Sequence, residues 1–482
     1  KNIISLLIIK LTKHIMSKIK LATTALGLAA ITSIYSQDKP NVVFILTDDL
    51  GYGDLSCYGQ DKFQTPNIDR LALTGTRFTR SYSGTTVSAP SRASLLTGLH
   101  TGNAPIRGNR EIQPEGQAPL PADTYTLFKL FKESGYITGV FGKWGLGYPG
   151  STGDPVNQYV DHFFGYNCQR LAHNYYPGHL WENDTKVYLP DNNDGGFGSY
   201  SQDLIQSKTL EFIEQHKNNP FFLYVPIVLP HAELVVPEDT IIQELRGKFP
   251  ETPYKGTDSG PNFRIGGYMS QDYPRATHAA MVKRIDIYVA QIVEKLKEEG
   301  LYENTLIIFT SDNGPHREGG GDPDFFNNNS IYRGYKRDLY EGGIRVPTII
   351  SWKGKVAAGE KSNFPFAFWD YLPTFADILE VEYKTKTDGV SILPTLLGVE
   401  DQAERDYFYF EFQESGGQQA VIKGNWKLIH LDIRNGGKYE LYNIASDPSE
   451  NHNLIALFPE KSEELKEIMK RARTDNPDWP LF

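Results

Sequence analysis

Two cysteines, Cys57 and Cys168, are all that 482 residues hold. No disulfide framework can carry this fold, and two unpaired thiols are expected. Positive charge is also in short supply: 49 Lys and Arg stand against 59 Asp and Glu, a formal net charge of −10. That excludes a surface built for non-specific nucleic-acid binding but leaves room for a local cationic pocket. Beyond residues 21–34 there is no long apolar run, so no membrane span and no stable membrane association are expected. No internal repeat, low-complexity tract or long flexible linker interrupts the chain, so its parts should pack as one body. What is present is ordinary for a globular protein, 39% hydrophobic and 22% charged, at a length that suits one large domain plus a smaller one.

Near the beginning, Met16 is followed by Lys18 and Lys20, the apolar run 21–34, and then Ser36-Gln37-Asp38-Lys39-Pro40. A positive region, an apolar region and a cleavage point in that order read as an export signal. Residues 1–37 are therefore expected to be a signal peptide with an upstream extension, and the mature protein to be periplasmic or secreted. No Cys follows the apolar run, which argues against a lipid anchor. The expected boundaries are 38–390 for a catalytic α/β domain and 391–482 for a C-terminal α+β subdomain.

Residues 41–47 (NVVFILT) form an apolar, β-branched run that reads as a strand buried on both faces, as in a parallel sheet. It ends in Asp48-Asp49. Similar runs at 137–141, 221–228 and 305–310 end at Gly142-Lys143-Trp144-Gly145, at Pro230-His231 and at Ser311-Asp312-Asn313-Gly314. Open α/β sheets bind ligands just beyond the carboxyl ends of their strands. Adjacent acids repel, so a bound cation explains Asp48 and Asp49 economically. A helix cap or an Asx turn is the plainer account of each acid by itself, but it does not explain acids recurring at two strand ends. Asp48, Asp49, Asp312 and Asn313 offer only oxygen, which suits a hard ion, and one Ca²⁺ fits better than zinc. Helical spacing at 203–216 and 277–301 provides covering layers. After residue 391, short apolar runs between Gly and Asn turns suggest an antiparallel sheet with a charged helix at 459–472.

The stretch Ser88-Ala89-Pro90-Ser91-Arg92-Ala93-Ser94-Leu95-Leu96-Thr97-Gly98 also suits an ordinary helix N-terminus, with Pro in the first turn. It resembles, however, the sulfatase signature, a Cys or Ser followed two residues later by Pro and four residues later by Arg. Asp48-Asp49, Gly142 to Gly147, Pro230-His231 and Asp312 to Pro347 resemble the other motifs of the type I sulfatases in their usual order, and the likeness covers the chain from Asn41 to its C-terminal sheet. The resemblance implies an alkaline-phosphatase-like α/β/α sandwich with a smaller C-terminal antiparallel-sheet subdomain. It also implies hydrolysis of sulfate esters on a sulfated saccharide, galactose- or N-acetylgalactosamine-type sugars being the narrower expectation. Ser88 would be oxidised to formylglycine by a radical-type maturase, a step an unactivated serine hydroxyl needs if it is to act as a strong nucleophile. Arg92 would hold the modified side chain and Lys143 would contact its oxygen. His231 and Lys336 would bind sulfate and help protonate the leaving alcohol, and Asp312 would be the base. Gly145 stands where the family commonly has His; either another residue supplies that hydrogen bond or the nucleophile is held differently.

Residues 148–191 are rich in Gly, Asn, Tyr and His, a composition that suits a long loop over a pocket. Gln169 and His173 are the expected sugar contacts there, with Arg107 and His316 as further substrate contacts from elsewhere. Two alternatives remain: a phosphate or phosphonate ester hydrolase of the same fold, and a non-catalytic glycan-binding relative in which Ser88 stays unmodified.

Overall fold

Strict alternation along the first strand, Asn41–Asp48, builds two cores at once. Val43 and Ile45 enter one apolar cluster, while Val42, Phe44 and Leu46 enter another on the opposite face. The strands Phe221–Pro230 and Thr305–Ser311 divide in the same way, Leu223 and Ile307 to one side, Phe222 and Leu306 to the other. Each such fully buried side chain contributes about 1.5–3 kcal/mol, which explains why these strands read as unbroken apolar runs. The computed structural model describes residues 39–261 and 263–482; the expected signal peptide at 1–37 lies outside them.

These strands belong to one large mixed sheet. Asn41–Asp48 lies parallel to both Phe221–Pro230 and Thr305–Ser311, and Ile137–Lys143 lies parallel to Phe221–Pro230. Four carboxyl ends therefore open on a single edge. Helices Pro66–Thr74, Ser201–Gln215 and Pro274–Glu298 cover one face, the last through Met281, Ile285, Val289 and Ile292. Helices Ser88–Thr97, Leu127–Glu133 and Tyr371–Leu379 cover the other. The result is the α/β/α sandwich expected, but its sheet is parallel at the centre and antiparallel toward both edges. Arg345–Ser351 runs antiparallel to Thr305–Ser311, and the half-polar strand Thr76–Tyr82 pairs antiparallel to it.

Residues 148–191 are not one long loop. They contain strands His162–Tyr166, His179–Glu182 and Thr185–Tyr188, which extend the large sheet. Tyr175 and Tyr176 pack into the core there. The aromatic content of this stretch serves burial at least as much as recognition.

The second sheet is antiparallel, Phe408–Phe412, Gln418–Lys423, Trp426–Leu431 and Lys438–Asn443 in order. One face meets Tyr82, Leu339, Ile344 and Trp369, and the other carries helix Pro459–Arg471 through Leu465, Ile468 and Met469. Lys427, fully buried, ties this sheet to the rest by pairing with Glu341 and Glu450, each at 2.9 Å. Cys168 is buried and Cys57 half-buried, and both are free thiols. Among the described residues no helix is long and apolar enough to cross a membrane.

Candidate active site

Parallel register fixes what meets at the open edge. Thr47 is level with Ser311 and Asp48 with Pro230, so Asp48, Asp49, His231 and Asp312 leave neighbouring strands side by side. Lys143 closes its own strand on the same edge. Asp49 takes a left-handed backbone, φ 63°, a conformation that costs on the order of 1–3 kcal/mol away from glycine and is held where the surroundings over-determine it.

Ser88 opens helix Ser88–Thr97 and is buried. Its hydroxyl donates to Asp48 Oδ1 at 3.0 Å, and Lys143 Nζ lies 3.5 Å from Ser88 Oγ and 2.6 Å from Asp48 Oδ2. One turn along the helix, Arg92 donates from Nη2 to Asp48 Oδ2 and Asp312 Oδ2, both at 2.9 Å, and from Nη1 to the Lys143 carbonyl at 2.5 Å. Arg92 thus clamps two strand ends and the lysine strand together. Asp312 is turned toward this clamp and accepts from the Asp49 amide at 3.2 Å. The carboxylate touching Ser88 is therefore Asp48, not the Asp312 expected as base.

Lys336 donates to Asp49 Oδ2 at 2.9 Å, to His231 Nε2 at 3.1 Å and to Glu318 Oε2 at 3.1 Å. The other nitrogen of His231, Nδ1, bonds the Ala232 carbonyl. A carbonyl can only accept, so Nδ1 carries the proton and Nε2 presents its lone pair to Lys336. Burial, then Lys336 and Lys143, hold the His231 imidazole well below its ordinary value, so it is neutral at pH 7. Burial alone would lower Lys336, but Asp49 and Glu318 outweigh it and keep the ammonium charged.

Three carboxylates, Asp48, Asp49 and Asp312, face three cations, Arg92, Lys143 and Lys336, all nine-tenths or more buried. Taking such charges out of water costs several kcal/mol per ion, and apolar packing would serve stability as well, so this is where a function is to be sought. Burial and the Asp48 charge push Asp312 up to about 6 despite Arg92. Burial would raise Asp48 too, but Lys143 and Arg92 together hold it below the usual carboxylate range. A cation beside Asp312 would relieve that crowding. Asn313 adds a second sign: its Nδ2 donates to Asp49 Oδ1 at 2.7 Å, while its Oδ1 is buried without a partner. An orphaned amide oxygen beside three buried carboxylates fits a hard, oxygen-seeking dication.

The adjoining cavity, about 260 Å³, is lined by Ser88, Gln169, His173, His231 and Lys336, and also by Asn109, Glu111, Gln117, Arg170, Tyr268, Glu318 and Arg337. A larger cavity of about 630 Å³ by Tyr176, Pro237 and Tyr273 lies away from the buried charges. Gln169 and His173 thus reach the pocket as expected, His173 stacking on His231 with ring centroids 5.2 Å apart. Two expected contacts do not. Arg107 is buried against the second sheet, donating to Ala104, Thr474 and Glu411; its apolar stem and charge are used to seat the C-terminal segment. His316 accepts from the Glu318 amide at 3.0 Å and donates to the Pro230 carbonyl at 3.1 Å, so both ring nitrogens are occupied and the ring buttresses His231. Sequence reasoning missed Gln117, Tyr268, Glu318 and Arg337. Only the Gly-, Pro- and Tyr-rich composition of 249–276, which suggests an irregular insertion near the pocket, hinted at Tyr268.

The chain is similar to known proteins over most of its length. The family profile described as Sulfatase matches residues 40–381, and that described as N-sulphoglucosamine sulphohydrolase, C-terminal, matches 332–475. An N-acetylgalactosamine-6-O-sulfatase of Bacteroides thetaiotaomicron is 29% identical over 91% of this chain and 94% of its own. The N-acetylgalactosamine-6-sulfatase of Rattus norvegicus is 31% identical over 95% of this chain and 84% of its own. Among solved structures, Ps i-CgsB in complex with k-i-k-neocarrahexaose superposes with a TM-score of 0.76 at 27% identity, covering 92% of this chain and 95% of that one. Buried charges gathered at one sheet edge, a serine among them and a match spanning both sheets leave one conclusion: this chain belongs to the sulfatase family and is a sulfuric ester hydrolase.

Proposed function

We propose that the protein removes O-linked sulfate from galactose- or N-acetylgalactosamine-type sugars of a glycan, using formylglycine made from Ser88 by a radical-type maturase and one Ca²⁺, and that it works after export to the periplasm or outside the cell. The observation that carries this reading is that Ser88, His231 and Lys336 line one small cavity, with Asp48 and Lys143 in contact with Ser88 from behind. The names of the relatives from Bacteroides thetaiotaomicron and Rattus norvegicus support the sugar class.

Position 88, once oxidised, would supply an aldehyde whose hydrate could serve as the nucleophile toward sulfur and let sulfate go without a second attacking water. Asp48, already accepting from the Ser88 hydroxyl, orients the attacking group. Lys143 holds that oxygen and offsets the charge that grows on it. Lys336 binds a sulfate oxygen, and with His231 forms a pair that shares the proton needed by the departing alcohol. Arg92, fully occupied by Asp48, Asp312 and the Lys143 carbonyl, is a positioning residue. Asp48, Asp49, Asp312 and Asn313 would hold the Ca²⁺, which supplies positive charge to the sulfate and to the nucleophile.

The test is sulfate release, followed by ion chromatography, from 6-O-sulfated N-acetylgalactosamine and galactose alongside the matching phosphate esters. Preferential release of sulfate supports the reading. Faster release of phosphate, or no release from any galacto-configured sugar, overturns it.

A further inference from the structure

Gly145 is held at φ 75°, a left-handed backbone that a side chain rarely adopts. Its amide bonds the Asn167 carbonyl at 3.1 Å and the Trp144 amide bonds the Tyr166 carbonyl at 2.9 Å, continuing the parallel pairing that sets Lys143 level with Tyr166. This pairing lays the chain after Asn167 directly over Gly145. A Cβ at position 145 would come within 2.3 Å of Gln169 Nε2 and 3.1 Å of its Cδ. The space in which a side chain at 145 would begin is thus already filled by a carboxamide from the turn that follows strand His162–Tyr166.

That carboxamide nitrogen is buried and has no hydrogen-bond partner. An unpaired buried N–H group costs about 1–3 kcal/mol, so it is expected to meet an acceptor in the working state. Gln169 lines the same cavity as Ser88, His231 and Lys336, and the acceptor that cavity would receive is the sulfate group. We infer that Gln169 Nε2 donates to a sulfate oxygen of the bound substrate, taking over from the side chain that Gly145 lacks. The inference rests on the proposed sulfate-ester reading of the site. Its chemical consequence is that this donor is neutral and does not titrate, so it stays a donor at any pH at which the fold persists.

The test is calorimetric titration of inorganic sulfate into the wild-type protein and into Gln169→Ala and Gln169→Glu, with melting temperatures measured in parallel. Sulfate affinity should fall by roughly ten- to a hundredfold in Gln169→Ala, the loss of one hydrogen bond to a charged group. It should fall further in Gln169→Glu, which sets an acceptor and a like charge against the anion, while melting temperatures stay close to wild type. Equal affinity in all three proteins overturns the inference, as does a loss that is the same for Ala and Glu and tracks a fall in melting temperature. Wild-type protein that binds sulfate through Gln169 yet cleaves no sulfate ester overturns the proposed function and leaves this inference standing. Wild-type protein that cleaves esters with Gln169→Ala unimpaired in both binding and turnover does the reverse.

Discussion

Ser88 and Asp48 sit forty positions apart in the chain and 3.0 Å apart in the pocket, hydroxyl to carboxylate. Asp48 also takes Lys143 and Arg92, so the serine is bound to the most heavily neutralised acid of the cluster. Replacing Ser88 by Ala should remove sulfate release by at least about a thousandfold, since groups that act as a unit lose nearly all their effect together. The melting temperature should barely change, because the lost contact is one hydrogen bond. Substantial turnover by the Ala variant would mean that another group attacks sulfur.

Asn313 Oδ1 is the unclaimed oxygen of the acidic cluster. Adding Ca²⁺ to chelator-treated protein should raise its melting temperature, with a gain of about 2.7 kcal/mol at a hundredfold excess over the dissociation constant. In Asn313→Ala that gain should require a higher Ca²⁺ concentration. An unchanged Ca²⁺ response in the variant would remove Asn313 from the ligand set.

Lys427 is fully buried between Glu341 and Glu450 and joins the second sheet to the large one. Lys427→Met leaves Glu450 without its cation and Glu341 with Arg345 alone, a loss of about 3–5 kcal/mol that should appear as a lower midpoint in chemical denaturation. A variant as stable as wild type would show that the joint rests on its apolar contacts alone.

Glu233 accepts from the amides of Tyr175 at 3.2 Å and Met269 at 3.1 Å and from Asn174 Nδ2 at 3.2 Å. Burial outweighs these donors and pushes its carboxyl up to about 7 from 4.5. The folded state therefore holds this proton more tightly than the unfolded state. The stabilisation is complete below pH 4.5 and is lost as pH rises toward 7, on the order of 3 kcal/mol for a shift of that size. Glu233→Gln should flatten the fall in unfolding free energy between pH 4.5 and 7. An identical pH slope in both proteins would assign the slope to other groups.

The strand ends were legible because each follows an apolar, β-branched run too uniform to be anything but doubly buried. Asp48, Asp49 and Asp312 could be placed on one edge from the strand pattern, whereas Lys143 and His231 needed the resemblance to the sulfatases. The strand Thr76–Tyr82 escaped notice because alternate Arg and Thr residues make it half-polar. Arg107 misled because nothing local distinguishes an arginine that meets substrate from one paired with Glu411, 304 positions away. Tyr268, Glu318 and Gln117 reach the pocket from segments whose position depends on tertiary packing, and side-chain type gives no hint of it. That Asp48 rather than Asp312 touches Ser88 was equally hidden, since Arg92 pairs with both acids and only the fold sets which one faces the serine.

The central claim is that Ser88 becomes the nucleophile by oxidation, and the mass of the Ser88-bearing peptide from catalytically active protein tests it most directly. The account predicts a peptide lighter by two hydrogen atoms, in a fraction that rises and falls with sulfate-releasing activity across preparations. Full activity from protein whose Ser88 peptide has its unmodified mass would contradict it.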